Sequence, residues 1–147
     1  MYKRIMVPLE NSSTDVHIVA HVRELARHCG ASIVFIHVAD GWAARNISQL
    51  NLRESEEIRL DREYLERVAA DATRDGLEAE ALLASGDPAK EITAAAEREA
   101  CDLIAMATHG HKLLADVLYG SVANAVRHST STPVLLVRAP AHAKPSS

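Results

Sequence analysis

The chain has 147 residues, of which 48% are hydrophobic and 24% charged, and its formal net charge is −4. This length and composition are typical of one globular domain that buries its core without disulfides or metal ions. The acidic balance disfavours nonspecific nucleic-acid binding, and no stretch approaches the ~20 apolar residues of a membrane span. The two cysteines form no CxxC motif and the N-terminal apolar run is too short for a signal peptide, so we expect a cytoplasmic protein.

Strand-like and helix-like segments alternate along the chain. The apolar, strand-like segments are residues 4–7, 32–38, 80–84, 103–106 and 133–137. Helical periodicity covers residues 14–29, with Gly30 marking the end of this first helix, and residues 54–75. A third helix opens at Gly86-Asp87-Pro88. A fourth helix is expected to begin near Ser121, with Val122, Ala125 and Val126 facing inward. Continuous apolar strands are typical of a parallel sheet that helices cover on both faces.

This alternation predicts an α/β fold, a doubly wound five-stranded parallel sheet in the order 3-2-1-4-5 with helices on both faces. One domain spans residues 1–139, and residues 140–147 form a tail rich in Pro, Ala and Ser that we expect to be disordered. In such sheets, ligands bind beyond the carboxyl ends of the strands, where the strand order reverses. The reversal lies between the first and fourth strands, which places a site at residues 8–11 and 107–110.

Glycines and local charge near residues 107–121 indicate an anionic ligand. Gly110 and Gly120 let the backbone approach a ligand closely. Ser121 lies at the expected start of the fourth helix, and the unbonded N–H groups and the dipole of a helix N-terminus attract phosphate. The formal charge of residues 107–138 is +2, against −8 for residues 52–103, and this field favours an anion. Strand-to-helix turns also use glycine without any ligand, so the spacing alone leaves a purely structural role open.

The segment from residue 103 to residue 138 resembles the C-terminal signature of universal stress proteins. ATP-binding members of that family carry glycine, two residues, glycine, nine residues, and then Gly-Ser or Gly-Thr. Gly110, the nine residues after it and Gly120-Ser121 match the second half of this motif, whereas Ala107 replaces its first glycine. Three further segments also resemble the family, namely KRIMVPLENS, IVFIHV and GDPAKEI.

The resemblance implies a regulatory stress-response module that binds an adenine nucleotide, ATP or else ADP or AMP, with or without Mg²⁺. The nucleotide would lie across the carboxyl ends of the first, second and fourth strands. The matching positions are Pro8, Leu9, Glu10, Val38, Met106, Ala107, His109, Gly110, Gly120, Ser121, Val122 and Ala123. Two of them depart from the family pattern. Glu10 replaces the usual aspartate, and we expect the methyl group of Ala107 to narrow the path of the phosphates.

The sequence offers little support for catalysis. It lacks a Gly-Lys-Ser/Thr P-loop and an evident nucleophile–base pair, so no catalytic residue is assigned. No metal site is assigned either, because histidine pairs such as His17 and His21 are more often solvated helix residues. Two alternatives to a nucleotide-binding module stay open. In the first, the protein is a slow ATP-hydrolysing or adenylate-handling enzyme that uses Glu10 and a bound Mg²⁺. In the second, it is a nucleotide-free dimer that binds an unknown partner protein.

The last strand predicts self-association. Residues 133–137 would form an edge strand that is short, apolar and without a protecting lysine, and such edges invite pairing with another chain. Universal stress proteins, which the chain resembles, pair these edges antiparallel across a two-fold axis. We therefore expect a homodimer in which two copies meet through Val134, Leu135, Leu136 and Val137.

Overall fold

The computed structural model describes residues 1–40, 52–108 and 114–138. The predicted tail, residues 140–147, lies outside this range. Strands and helices alternate as β1 (Arg4–Pro8), α1 (Asp15–Cys29), β2 (Ser32–Asp40), α2 (Leu52–Arg74), β3 (Ala79–Gly86), α3 (Pro88–Arg98), β4 (Leu103–Thr108), α4 (Leu114–Ser129) and β5 (Val134–Arg138).

The strands form one parallel sheet in the order β3-β2-β1-β4-β5. β1 lies at its centre, where Ile5 is level with Ile33 of β2 and with Leu103 of β4. β5 lies at one edge, beside β4. The predicted fold class, strand order and parallel direction are therefore confirmed, and the strand order reverses between β1 and β4.

Two apolar cores cover the two faces of this sheet. On one face Ile5 of β1 packs in a cluster with Ile18 of α1 and Leu65 of α2. On the other face Met6 packs in a second cluster with Ile92 of α3, and this cluster also holds Val126 of α4. Successive side chains of a strand point to opposite faces, so a strand covered on both sides is apolar at every position. This explains the continuous apolar runs in the sequence.

Local sequence signals set the ends of two helices. α1 is followed by Gly30 in the left-handed conformation, with φ at 68°, which glycine adopts without a steric cost. At the start of α3, the carboxylate of Asp87 accepts the backbone N–H of Lys90 at 3.1 Å. Pro88 occupies the first turn, where no N–H donor is needed. Both features agree with the signals predicted from the sequence.

The fourth helix differs from the prediction in its start and in its inward face. α4 begins at Leu114, so Gly120 and Ser121 lie inside the helix and not at its N-terminus. A single glycine costs a helix only about 1 kcal/mol relative to alanine, which is too little to delay the start. Among residues 121–129 of α4, Ala123 and Val126, three residues apart, are buried, whereas Ala125 is exposed. The predicted inward face was therefore correct for Val126 and wrong for Ala125.

Candidate functional site

A cleft of about 230 Å³ opens at the carboxyl ends of β1 and β2, beside α3 and α4. Its walls are mostly apolar, with one carboxylate and one imidazole residue among them. The lining residues are Pro8, Leu9, Glu10, Ile36, His37, Val38, Pro88, Ile92 and Val122. Mostly apolar walls with a few polar groups are typical of sites for small organic ligands. The cleft lies at the end of the sheet and near the strand reversal where the fold predicts a site.

Five of the predicted site residues come together in this cleft, namely Pro8, Leu9, Glu10, Val38 and Val122. Sequence reasoning missed Ile36, His37, Pro88 and Ile92. A signal for Pro88 was present, because the first turn of a helix that follows a parallel strand lies at the carboxyl end of the sheet. His37 lies between Ile36 and Val38 in an apolar strand, and the strand pattern alone did not identify it as a site residue.

Other predicted residues lie elsewhere. Met106 and Ala107 are 0% and 2% exposed and belong to the two opposite cores, and Ala123 is also buried. The methyl group of Ala107 packs in the cluster that contains α1 and α2, not in the wall of the cleft. Ser121 is exposed on α4. Its backbone N–H lies in the helix interior, where such groups normally bond within the helix. His109 and Gly110 lie outside the described residues.

The turn that follows β1 is held by one buried carboxylate. Asp15 is 2% exposed, and its oxygens accept the backbone N–H groups of Glu10 at 3.0 Å, Asn11 at 2.8 Å and Ser12 at 3.2 Å. The hydroxyl of Tyr64 on α2 donates to the same carboxylate at 2.6 Å. Burial and this hydrogen bond raise the pKa of Tyr64, so the phenol stays a donor. The arrangement fixes the backbone of the cleft wall.

The side chains of this turn are also ordered. The hydroxyl of Thr14 donates to Glu10 Oε2 at 3.0 Å. Asn11 has a positive φ of 62°, a conformation that asparagine tolerates better than most residues. Its amide donates to Asp61 Oδ1 on α2 at 2.8 Å. The turn is therefore linked both to α1 and to α2.

Leu9 is fixed at both of its backbone groups. Its N–H donates to the carbonyl of Ile36 at 2.8 Å, and its carbonyl lies 2.8 Å from His37 Nδ1. His37 Nε2 lies 3.4 Å from Asp61 Oδ2. These contacts join β1, β2 and α2 at the mouth of the cleft.

The described residues offer little for covalent or metal chemistry. Within them, no group of three or more His, Cys, Asp or Glu side chains could hold a metal ion. Cys29 and Cys101 are free thiols, and burial raises the pKa of Cys101 to about 11, which keeps it protonated at neutral pH. No helix in the described part of the chain is long and apolar enough to cross a membrane.

The fold and the cleft together define a doubly wound α/β domain with an apolar cleft near the reversal of strand order. Residues 1–138 match the model of the universal stress protein family. The chain belongs to this family, and the resemblance drawn from its sequence is confirmed.

Individual relatives agree with this assignment. Universal stress protein MJ0531 of Methanocaldococcus jannaschii is 32% identical over a match that covers 95% of this chain and 84% of the relative. The solved structure of protein MJ0577, from the same organism, is 25% identical, covers 97% of this chain and 99% of its own, and has a TM-score of 0.80. The Archaeoglobus fulgidus universal stress protein in complex with dAMP shares the fold, with 20% identity, 92% and 98% coverage, and a TM-score of 0.68.

Proposed function

We propose that this protein is a regulatory stress-response module that binds an adenine nucleotide, with ATP as the preferred ligand. The observation that carries the proposal is the apolar cleft, because it gathers five residues that the family resemblance assigns to the nucleotide. The dAMP bound by the Archaeoglobus protein of the same fold supports it.

The residues of the cleft fit the adenosine part of such a ligand. Pro8, Val38 and Val122 supply apolar surface for the flat base, and the main chain of Val38 can bond its edge. The carboxylate of Glu10 can accept ribose hydroxyl groups, and its backbone is already held by Asp15. We assign the phosphates to the exposed hydroxyl of Ser121 and to His109, Gly110 and Gly120. We also assign the phosphates to the N–H groups at the N-terminus of α4. This helix begins at Leu114 and not at Ser121, so the backbone donors of its first turn come from residues that precede Ser121.

Filling the cleft with a larger side chain should weaken ATP binding. We expect titration calorimetry to show ATP binding in the micromolar range, about −8 kcal/mol, and Val122→Trp to weaken it at least ten-fold because the indole occupies the place of the base. Val16→Trp serves as the matched control, because Val16 is 67% exposed on α1 and lies outside the cleft. Wild type that gives no heat with ATP, ADP or AMP, with or without Mg²⁺, contradicts the proposal. Native mass spectrometry of the purified protein tests it independently by detecting a co-purified nucleotide.

We also propose that two copies pair through β5. β5 lies at the sheet edge and Leu136 is 41% exposed. The N–H of Ile104 donates to the carbonyl of Pro133 at 3.0 Å, and backbone groups in a parallel ladder alternate between the two sides of a strand. The backbone of Leu135 therefore faces β4, and that of Leu136 faces the open edge.

This alternation gives a clean test of the dimer. Leu136→Pro removes a donor on the open edge only, so we expect light scattering to show a monomer that stays folded at tens of micromolar. Leu135→Pro removes a donor toward β4 and leaves a carbonyl of β4 without its partner, so we expect it to lower the free energy of unfolding by about 1–3 kcal/mol. A wild-type monomer, or a dimer that the Leu136→Pro substitution leaves intact, rules out this interface.

A further inference from the structure

Three polar side chains of the turn after β1 form a chain of hydrogen bonds. The hydroxyl of Thr14 donates to Oε2 of Glu10 at 3.0 Å, and it lies 2.8 Å from the hydroxyl of Ser12. A hydroxyl group carries a single hydrogen. Because the hydrogen of Thr14 points to Glu10, the hydroxyl of Ser12 is the donor in the second contact. The bonds therefore run in one direction, from Ser12 through Thr14 to the carboxylate, and we call this chain the hydroxyl relay.

The place of Thr14 in the chain would ordinarily give its hydroxyl a different partner. Thr14 occupies the N-cap position of α1, where a threonine hydroxyl commonly accepts a backbone N–H of the first helical turn. Among the described residues, which include this whole turn, the Thr14 hydroxyl accepts no such N–H. The side chain is directed to Glu10 and not to the helix. Removing the hydroxyl should therefore leave the start of α1 intact, which separates its effect on Glu10 from an effect on the helix.

The backbone at both ends of the relay is fixed. Oδ1 of Asp15 accepts the N–H of Glu10 at 3.0 Å, and Oδ2 accepts the N–H of Ser12 at 3.2 Å. The freedom that Glu10 keeps is rotation within its long side chain, which loses much rotamer entropy when it is ordered. The bond from Thr14 restricts this rotation before a ligand arrives. A group that is already ordered binds its ligand with a smaller entropic penalty.

We propose that Thr14 is a positioning residue that orders the carboxylate of Glu10 and thereby sets a preference for ribose over deoxyribose in the bound nucleotide. The inference rests on the proposed function, in which Glu10 accepts the ribose hydroxyl groups. Of the three relay residues only Glu10 lines the cleft, so Thr14 acts through it. A carboxylate accepts several hydrogen bonds at once, and the bond from Thr14 therefore directs it without excluding a sugar hydroxyl.

Titration calorimetry with ATP, 2′-deoxyATP and 3′-deoxyATP tests the preference. Wild type should bind ATP about ten-fold more tightly than at least one of the two deoxynucleotides, because a hydrogen bond to a carboxylate is lost. Thr14→Val keeps the shape of the side chain without the hydroxyl and should reduce this ratio to about three-fold or less. Thr14→Ser keeps the hydroxyl and should preserve the ratio.

Thr73→Val is the matched control. The hydroxyl of Thr73 donates to the carbonyl of Ala69 within α2 at 2.9 Å, and Thr73 is not among the residues that line the cleft. This variant should keep the wild-type ratio. An affinity that falls equally for all three nucleotides in Thr14→Val, as a merely structural role predicts, overturns the proposal. A wild type that binds ATP and both deoxynucleotides equally well also overturns it.

Two further measurements test whether Thr14 acts through Glu10. In a Glu10→Ala background, adding Thr14→Val should leave the ratio unchanged, because the carboxylate that Thr14 orders is absent. A further change in the ratio there contradicts the relay. Without nucleotide, NMR relaxation should show a more mobile Glu10 side chain in Thr14→Val than in wild type, and equal mobility overturns the relay. If wild type binds no adenine nucleotide, the proposed function fails and the ribose preference with it, while the NMR comparison still decides whether Thr14 orders Glu10.

Discussion

β1 and β4, the two strands between which the strand order reverses, are held by different interactions. On the β1 side, polar side chains fix the backbone, because Asp15 accepts three N–H groups of the turn and His37 contacts the carbonyl of Leu9. On the β4 side, the side chains of Met106 and Ala107 are buried in apolar cores and contribute apolar packing. Both sides come from strands that lie next to each other in the sheet.

This difference indicates which strand controls the shape of the cleft and which strand controls the stability of the fold. Hydrogen bonds are directional, so the β1 side determines the geometry of the cleft wall. Apolar packing is non-directional and depends on the volume filled, so the β4 side supports the sheet beneath the cleft. Substitutions on the first side should change ligand affinity, and those on the second should change the free energy of unfolding only.

The largest effect is expected from Asp15→Ala. It leaves three backbone N–H groups and the Tyr64 hydroxyl without their common acceptor, which should lower the free energy of unfolding by about 3 kcal/mol. Because the turn is released, we also expect a weaker affinity for ATP. Chemical denaturation and calorimetry measure the two effects.

Asp71→Ala is the matched control for this substitution. Asp71 is exposed on α2 and pairs only with Arg74 one turn away among the ion pairs of the described residues. Surface pairs of this kind contribute little, so the loss should stay below about 0.5 kcal/mol. Equal losses in the free energy of unfolding for Asp15→Ala and Asp71→Ala would show that the buried carboxylate of Asp15 does not stabilise the turn.

A smaller effect is expected from Ala107→Gly. The substitution removes a buried methyl group and adds backbone freedom, which together should cost about 1–2 kcal/mol of stability. ATP affinity should stay within two-fold of wild type. Ala105→Gly, which lies two residues earlier on the same face of β4 and is also fully buried, should behave in the same way. A tighter affinity for ATP in Ala107→Gly alone would instead support a methyl group that narrows the phosphate path.

The smallest effect is expected from Tyr64→Phe, which removes one of the four donors to Asp15 and should cost about 1 kcal/mol. Burial and the bond to Asp15 raise the pKa of Tyr64 in the folded state. Its contribution is therefore complete below the unfolded value of about 10 and is lost as the pH rises above it. Denaturation from about pH 9 to pH 11 should show a steeper loss in wild type than in the variant. Parallel curves would contradict the assignment of this step to Tyr64.

Much of the fold was contained in the sequence. The continuous apolar runs predicted buried parallel strands, and the alternation of strands with helices predicted the doubly wound sheet. Asp87-Pro88 and Gly30 marked helix ends through local chemistry. Such features depend on residues close together in the chain, so a linear reading detects them. The strand-order rule placed residues 8–11 at one end of the sheet. The family resemblance placed Pro8, Leu9, Glu10, Val38 and Val122 there, and the structure brings these five residues together.

The tertiary structure alone decided which of the candidate residues face the cleft. Ala107 and Ala123 match a motif in sequence, but the pleat of β4 and the rotation of α4 turn them into the cores. The contacts of Asp15 with Tyr64, and of Asp61 with Asn11 and His37, join residues 24 to 50 positions apart. No local pattern specifies such pairs, because they exist only once the sheet has brought the ends of β1 and β2 against α2.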